Sequence, residues 1–380
     1  MSKRRISVLH VYRTYFPDPQ GGLQEAIRQI CLAVRPLGCE STVFALSPHP
    51  SPREISSPEA LIVRCRSWAA PASCDLGGRD AFIRFRVLAE SADVVHFHFP
   101  WPFGDVLHLM SCCSTPAVMT YHSDVVRQKM LGMMYRPLMM RMLKSMSAIV
   151  ATSPSYARTS EVLTHPMIRP LVRVIPLGIS ENHYPAGSAD ALMRRRGLDD
   201  GRPFFLFIGV LRYYKGLHYL IEAAAEVDAR IVVAGSGPEE EALRQLAEVR
   251  GVKNVCFVGQ VTDEEKVALL NGCLALVLPS HLRSEAFGMV LVEASIYGKP
   301  LVSCDIGTGT SFVNEGGKTG VVVPPESPRA LAEAMNLILR DPGLAKSMGE
   351  AARERYLRFF SAEALGREYA QLYRDVLPVL

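Results

Sequence analysis

The stretch PFFLFIGVLRYYKGLHYLIEAAAEVDARIVVAGSG, residues 203–237, decides the fold class of this chain. It begins with an apolar run at 203–211, continues with a segment of helical spacing at 216–227 and ends with a second apolar run at 229–237. Short apolar runs rich in aromatic and β-branched residues are typical of buried strands. A strand, a helix and a second strand in succession indicate two parallel strands covered by a helix.

The same alternation continues on both sides of this stretch. Upstream we predict a helix at 23–38 and five strands, which lie at 5–12, 41–46, 93–99, 117–122 and 148–153. Downstream we predict further helices and four strands, which lie at 255–259, 274–280, 300–305 and 319–324. The polar segment 173–187 contains Pro and Gly and is the predicted linker between two such cycles. The predicted fold is α/β, with two Rossmann-like domains whose parallel sheets face each other across a cleft.

Length and composition agree with this organisation. A chain of 380 residues favours two domains, which we place at 1–180 and 181–359, with a C-terminal helix at about 360–380 packing back on the first. The basic N-terminus leads into an apolar stretch that is too short for a signal peptide, and no apolar run is long enough to span a membrane. The nine Cys are scattered without a Cys-x-x-Cys pair, which indicates reduced thiols and a cytoplasmic protein.

Ligands of open α/β sheets bind beyond the carboxyl ends of the strands, so the loops there are the candidate sites. The most informative loop is PSHLRSEAFGMVLVEASIYGKP, residues 279–300. We predict that Ser284 caps a helix, which places Glu285, Phe287 and Gly288 at the helix N-terminus. Free backbone N–H groups there form an anion site, and Gly288 would let a ligand approach the backbone closely.

Glu293 lies about two turns into this predicted helix, among apolar residues. A buried carboxylate must be hydrogen-bonded or neutralised, and a vicinal diol such as a ribose would supply two donors. The alternative is a Glu285 that only favours the helix dipole and a Glu293 on the surface.

Two further loops in the second half carry candidate residues. Arg212 and Lys215 follow a strand and suit a diphosphate, although a solvated basic turn is the alternative. Gly235 and Gly237 occupy a strand–helix turn, but Glu240 stands where the dinucleotide fingerprint needs a small residue. We interpret this segment as a tight turn that lines a pocket.

In the first half, Gly21 and Gly22 lie between the first strand and first helix, where phosphate-binding loops occur. His122 ends another strand and is a candidate catalytic residue. His96 and His98 alternate along a strand, so we expect at most one to face the cleft and interpret both as structural or acceptor-side residues. No Asp-x-Asp pair and no His/Asp cluster has metal-ligand spacing, so we expect neither a metal nor a cofactor.

Several of these segments together resemble one known family. SEAFGMVLVEA matches the E-x7-E motif of retaining family 4 glycosyltransferases, which have the two-domain GT-B fold. The other matching segments occur in the family's order: GG at 21–22, DVVHFHF, TYHSD, VIPLGI, the KG of LRYYKG, GSGP and YGKPLVS with TGVVVPPE. The resemblance covers nearly the whole chain.

The resemblance implies specific roles for residues of this chain. Glu285 would contact the transferred sugar, Glu293 would hold the nucleotide ribose, and Lys215 with Arg212 would stabilise the departing diphosphate. Backbone N–H groups around Phe287, Gly288, Met289 and Val290, with Gly21, Gly22 and Gly235, would complete the donor site. One departure is Val210, which stands where the family usually has an Arg; the Arg comes two residues later.

The resemblance also implies an activity. The chain is most similar to bacterial mannosyl- and rhamnosyltransferases that use GDP-sugars and build O-antigen or other polysaccharides on lipid carriers. The first domain would bind the acceptor and the second the sugar nucleotide, with retention of configuration; a UDP-sugar donor is the alternative. A sugar-nucleotide 2-epimerase, an NAD-dependent oxidoreductase and a non-catalytic scaffold are the rival functions, and no nucleic-acid partner is expected.

Residues 125–160 suggest where a membrane would meet the protein. This segment contains six Lys or Arg, six Met between 130 and 142, and no Asp or Glu. A basic and apolar surface suits the anionic cytoplasmic leaflet, so we predict peripheral binding to the inner face of the membrane. The alternative is that the Met side chains pack in the core. Pro137 predicts that the segment does not form one long helix.

Overall fold

The computed structural model describes residues 4–18, 21–71, 74–124, 129–183, 197–198 and 200–378. Contacts between residues divide the chain into two compact units. The first unit comprises Met1–Gly178 together with Ala362–Leu380, and the second comprises Ile179–Ser361.

The first unit is built on one sheet. Its strands, in chain order, are β1 Ile6–Val11, β2 Cys39–Ser47, β3 Glu54–Ser56, β4 Leu61–Ala69, β5 Leu76–Gly77, β6 Val94–Phe99, β7 Ala117–Tyr121, β8 Ala148–Ala151 and β9 Val172–Val174. The order across the sheet is β3-β4-β2-β1-β6-β7-β8-β9, and β5 pairs with β4. The strands from β4 through β9 in this order pair in parallel, whereas β3 and β5 are antiparallel to β4.

The helices of the first unit cover this sheet. They are α1 Gly22–Val34, α2 Arg79–Ser91, α3 Pro102–Ser111, α4 Lys129–Lys144, α5 Pro154–Thr159 and, at the C-terminus, α13 Ala362–Val376. The last of these packs against α1, and Tyr369 and Tyr373 lie in the same buried cluster as Val8 and Val94 of the sheet. The C-terminal helix therefore completes the core of the first unit.

The second unit has a sheet whose described strands are all parallel. They are β10 Phe204–Ile208, β11 Arg230–Ala234, β12 Val255–Gly259, β13 Ala275–Leu278, β14 Leu301–Cys304 and β15 Gly320–Val323. The order across the sheet is β12-β11-β10-β13-β14-β15, which is the order of a Rossmann fold. The helices are α6 Leu217–Ala224, α7 Glu240–Val249, α8 Asp263–Gly272, α9 Met289–Ile296, α10 Thr310–Val313, α11 Pro328–Arg340 and α12 Pro342–Phe359.

The prediction of two α/β domains with parallel sheets is confirmed. The apolar run at 203–211 behaves as expected, because all five residues of β10 are buried. Sequence analysis did not predict the β3–β5 region or helices α2 and α3 of the first unit. These segments mix polar and apolar residues, so their local pattern is weak.

Candidate active site

The strand order of the second unit reverses between β10 and β13, which are neighbours in the sheet although they are not consecutive in the chain. Such a reversal opens a crevice at the carboxyl ends of the two strands, where ligands bind in open α/β sheets. The loop after β10 contains Lys215, and the loop after β13 contains Glu285. The two candidate residues therefore follow the two strands that flank the crevice.

The side chains of Lys215 and Glu285 form an ion pair within this crevice. Glu285 is 9% exposed, and its Oε2 also accepts a hydrogen bond of 3.2 Å from the Ser280 hydroxyl. Burial by itself would lower the pKa of Lys215, but attraction to Glu285 and Tyr214 outweighs burial and raises the pKa above its usual value. Lys215 is therefore a fixed cation at the carboxyl ends of the strands.

Backbone contacts hold the two loops together. The His281 N–H donates to the Tyr214 carbonyl at 3.1 Å, which joins the loop after β13 to the turn that carries Lys215. The Thr308 hydroxyl donates to the Glu285 carbonyl at 2.8 Å, and this fixes the Glu285 backbone against the loop after β14. Three loops thus position the ion pair before any ligand binds.

Helix α9 begins later than the sequence predicts. Ser284 is not its N-cap; the cap is Gly288, and the first helical residue is Met289. Glu285 and Phe287 precede the helix, and Glu293 lies just over one turn inside it. The N–H groups of residues 287–290 have no acceptor among the residues that the structure describes. They are available to an anion, as expected for the first turn of a helix.

Two glycines of the predicted donor site have a reason other than contact with a ligand. Gly288 has φ +84°, and a Cβ there would lie 3.1 Å from Leu278 and 3.0 Å from Leu291. Gly235 has φ +127°, and a Cβ there would lie 2.0 Å from the Gly209 carbonyl oxygen. The positive φ and these close contacts are therefore sufficient reasons for glycine at both positions, and the approach of a ligand to the Gly288 backbone stays a prediction.

Glu293 is buried, at 9% exposure, so the alternative that places it on the surface is wrong. Its Oε2 lies 2.7 Å from Nζ of Lys266 on α8. Sequence analysis missed Lys266, because it lies in the polar segment TDEEKVALL with no motif to mark it. Ser280 was also missed, although its position two residues after the end of β13 is a signal that could have identified it.

The remaining predicted residues of the second unit differ in exposure. Arg212 is exposed, and its side chain makes no hydrogen bond or ion pair with any described residue. The Phe287 side chain is buried and packs edge-on against Phe360, with ring centroids 6.0 Å apart. Phe287 can therefore offer a ligand its backbone N–H but not its ring.

In the first unit, the predicted residues follow β1 and β7. Gly21 caps α1 and Gly22 is its first residue; a Cβ on Gly22 would meet nothing within 4 Å, so the backbone there is accessible. His122 follows β7 directly and is 5% exposed. Its Nε2 lies 3.1 Å from Nδ1 of His98, and burial lowers its pKa to about 3. His122 is thus a neutral imidazole at the carboxyl end of a strand.

The premise that His96 and His98 point to opposite faces of the strand is wrong. Residues two apart on a strand share a face, and the two imidazole rings lie 4.2 Å apart between centroids. With His10 of β1 they form the one group of described residues whose side chains could surround an ion, since their ligand atoms lie within 4.8 Å. All six ring nitrogens have hydrogen-bond partners in the structure, and one of these bonds joins His10 to His98 within the group.

Pro137 does not interrupt the basic segment, because α4 continues through it as one helix. Met139 and Met142 are buried, as the core alternative predicts, whereas Met134 is 83% exposed. The cations Arg136, Arg141 and Lys144 are exposed on the same helix. Residues 125–128, which include Arg127, lie outside the described residues. No described helix combines the length and the apolar character that crossing a membrane requires.

Comparison with known proteins agrees with this geometry. Residues 20–183 match the family model "Glycosyltransferase Family 4", and residues 188–355 match "Glycosyl transferases group 1". The chain is 44% identical to D-rhamnosyltransferase WbpZ of Pseudomonas aeruginosa, covering 94% of this chain and 93% of that protein. It is 38% identical to the O-antigen chain mannosyltransferase C of Escherichia coli, covering 98% and 99%.

A solved structure shows the same fold. The sucrose-phosphate synthase of Thermosynechococcus elongatus superimposes with a TM-score of 0.78 at 23% identity, covering 98% of this chain and 99% of that one. Three findings agree with one another. The chain is similar to two glycosyltransferases over nearly its full length, it matches both family models, and it shares the GT-B fold. The chain therefore belongs to glycosyltransferase family 4 and is a glycosyltransferase.

Proposed function

We propose that this glycosyltransferase moves a mannosyl or D-rhamnosyl residue from a GDP-sugar to a lipid-linked saccharide during O-antigen or polysaccharide synthesis. The observation that carries the proposal is the identity to a D-rhamnosyltransferase and an O-antigen mannosyltransferase over nearly the whole chain. The second unit would bind the sugar nucleotide and the first unit the acceptor. A UDP-sugar is the alternative donor.

The contacts of the second unit support its role in binding the donor. The free N–H groups of residues 287–290 lie at a helix N-terminus, where a phosphate or a sugar hydroxyl is favourably bound. Glu293 would accept hydrogen bonds from the two ribose hydroxyls. Its contact with Lys266 provides an opposite charge beside the buried carboxylate, as a buried charged group requires.

Lys215 supports the chemistry of leaving-group departure. Breaking the bond between the sugar and the diphosphate builds negative charge on the phosphate oxygens, and a cation fixed nearby lowers the barrier. Lys215 is held in place by Glu285, while the exposed Arg212 is free to turn towards a phosphate. We propose that Glu285 also binds hydroxyls of the transferred sugar, because both its ion pair with Lys215 and its hydrogen bond from Ser280 use Oε2 rather than Oε1.

We further propose that configuration is retained. In the proposed route the acceptor hydroxyl attacks from the side on which the diphosphate leaves, and a phosphate oxygen takes its proton. No metal ion or other cofactor has a part in this scheme, because cations and backbone N–H groups hold the diphosphate. His122 would bind a hydroxyl of a substrate, since it is a neutral imidazole with 5% exposure.

The acceptor's lipid would place the enzyme at the inner face of the cytoplasmic membrane. The exposed cations of α4, together with exposed Met134, are the proposed contact with anionic lipid. Each cation near such a surface contributes about 1 kcal/mol.

The test is transfer of radiolabel by the purified enzyme to a lipid extract that contains lipid-linked saccharides. GDP-mannose, GDP-D-rhamnose and UDP-glucose are compared as donors, and the anomeric configuration of the product is read by NMR. We expect transfer from a GDP-sugar with the donor's configuration retained. Transfer from UDP-glucose alone would overturn the GDP assignment, and an inverted product would overturn the retaining route.

A further inference from the structure

A row of hydrogen-bonded side chains crosses the sheet of the first unit and ends at His122. His10 Nδ1 lies 3.2 Å from His98 Nε2, and His98 Nδ1 lies 3.1 Å from His122 Nε2. At the other end, His10 Nε2 lies 3.4 Å from the Ser41 hydroxyl. Ser41, His10, His98 and His122 form the histidine chain.

The sheet order produces this arrangement. Ser41 is on β2, His10 on β1 and His98 on β6, while His122 directly follows β7. These four strands are adjacent in the order β2-β1-β6-β7, so one side chain from each strand can meet the next. No three of these residues are close in sequence, and the row exists only because the strands pair in this order.

The three histidines of the histidine chain are buried and neutral. His10 and His98 are at most 2% exposed, and burial lowers the pKa of His10 to about 3. Burial, followed by repulsion from the neighbouring histidines, lowers the pKa of His98 well below its usual value. A neutral imidazole carries one N–H, so it donates at one nitrogen and accepts at the other.

This rule couples the tautomers of the three rings. If His98 donates from Nδ1 to His122, its Nε2 must accept from Nδ1 of His10, and His122 is left with its proton on Nδ1. If His98 donates from Nε2 to His10, its Nδ1 must accept from Nε2 of His122, and Nδ1 of His122 is left bare. All three rings therefore carry their proton on Nδ1, or all three carry it on Nε2.

We propose that His10 and His98 are positioning residues that fix the orientation and the tautomer of His122, so that its Nδ1 meets a substrate hydroxyl in one defined hydrogen-bonding state. Nδ1 of His122 has no partner among the described residues and is the open end of the histidine chain. The direction of hydrogen-bond donation along the histidine chain determines whether this nitrogen donates or accepts. The proposal rests on the proposed function in assigning a substrate to His122.

His96 provides a matched control. It lies two residues from His98 on the same strand and is equally buried, but its nitrogens bond to Tyr373 and Thr120, each at 2.8 Å. It makes no hydrogen bond to the histidine chain among the described residues. His96→Phe and His10→Phe therefore remove similar buried side chains. Only His10→Phe removes hydrogen bonds of the histidine chain.

The first measurement is NMR of the full-length enzyme labelled with nitrogen-15 at its ten histidines. Long-range nitrogen–proton correlations report which ring nitrogen carries the proton. We expect His10, His98 and His122 to show the same single tautomer in the wild type. His122 should become a mixture in His10→Phe and stay unchanged in His96→Phe. Different tautomers of His10, His98 and His122 in the wild type would overturn the proposal. An unchanged tautomer of His122 in His10→Phe would also overturn it.

The second measurement is the kinetics of transfer. An equal mixture of tautomers halves the competent fraction, so we expect kcat to fall at least about twofold in His10→Phe. The KM of the sugar nucleotide should change little. If His10→Phe does not fold, His10→Asn replaces it, since its amide can donate or accept towards His98 and also releases the tautomer. An unchanged kcat with a released tautomer would refute the positioning role. Absence of transfer in the wild type would refute the proposed function and leave the NMR result standing.

Discussion

The ion pair between Lys215 and Glu285 leads to a prediction that separates catalysis from stability. Glu285→Gln removes the negative charge but keeps the shape of the side chain and an oxygen that can accept from Ser280. Removing one partner of a buried ion pair costs about 3–5 kcal/mol. Here the side chains of Lys215 and Glu285 keep 13% and 11% exposure, and the amide oxygen still accepts from Lys215. We therefore expect the free energy of unfolding to fall by about 1–3 kcal/mol.

Activity should fall much further than stability. Lys215 would lose its orienting partner, and the transferred sugar would lose a carboxylate. Loss of one preorganised electrostatic contact costs about 10²–10³ in kcat. Binding of the nucleoside diphosphate, measured by calorimetry, should stay within about tenfold because Glu293 and the N–H groups of α9 are retained.

A matched control and a double variant complete the experiment. Glu315→Gln removes a carboxylate that pairs with Lys318 and Arg355 in the same unit, and its kcat should match the wild type. Lys215→Met combined with Glu285→Gln should be more stable than Lys215→Met alone, because no buried charge is left unpaired. Unfolding is followed by circular dichroism in urea. Wild-type turnover of Glu285→Gln, or a double variant less stable than both single variants, would refute the reasoning.

Four other outcomes are expected. Glu293→Ala should weaken nucleotide binding by about 1–3 kcal/mol through lost charge-assisted hydrogen bonds, and calorimetry that finds unchanged affinity would contradict the ribose assignment. Transfer should continue in EDTA, and abolition by the chelator with rescue by magnesium would contradict a metal-free reaction. Replacing Arg136, Arg141 and Lys144 with Glu should reduce sedimentation with anionic liposomes and slow transfer to a lipid acceptor, but leave transfer to a soluble acceptor unchanged; equal sedimentation would reject the membrane surface. Burial raises the pKa of Asp105 to about 7, so the folded state holds a proton that the unfolded state releases from about pH 4 upwards. Thermal stability should therefore fall between about pH 4 and pH 7, and Asp105→Asn should flatten this dependence; an equally steep curve in the variant would refute the assignment.

The sequence was sufficient to predict the fold class and the loops that carry the site. Apolar runs that alternate with segments of helical spacing are a local signal, because each strand and helix must bury its own apolar residues. The carboxyl ends of these strands were therefore predictable, and with them the positions of Lys215, Glu285 and His122. The start of α9 was not predicted, since Ser284 is as plausible a cap in sequence as the Gly288 that the structure uses.

The tertiary structure decided which side chains meet. Lys215 and Glu285 are 70 residues apart and pair because β10 and β13 are neighbours in the sheet. Lys266 reaches Glu293 from a different helix, and no local pattern marks it as the partner of a buried carboxylate. The histidine chain needs side chains from four adjacent strands. Strand order is set by long-range packing rather than by local propensity, so these contacts are determined only when the sheets have formed.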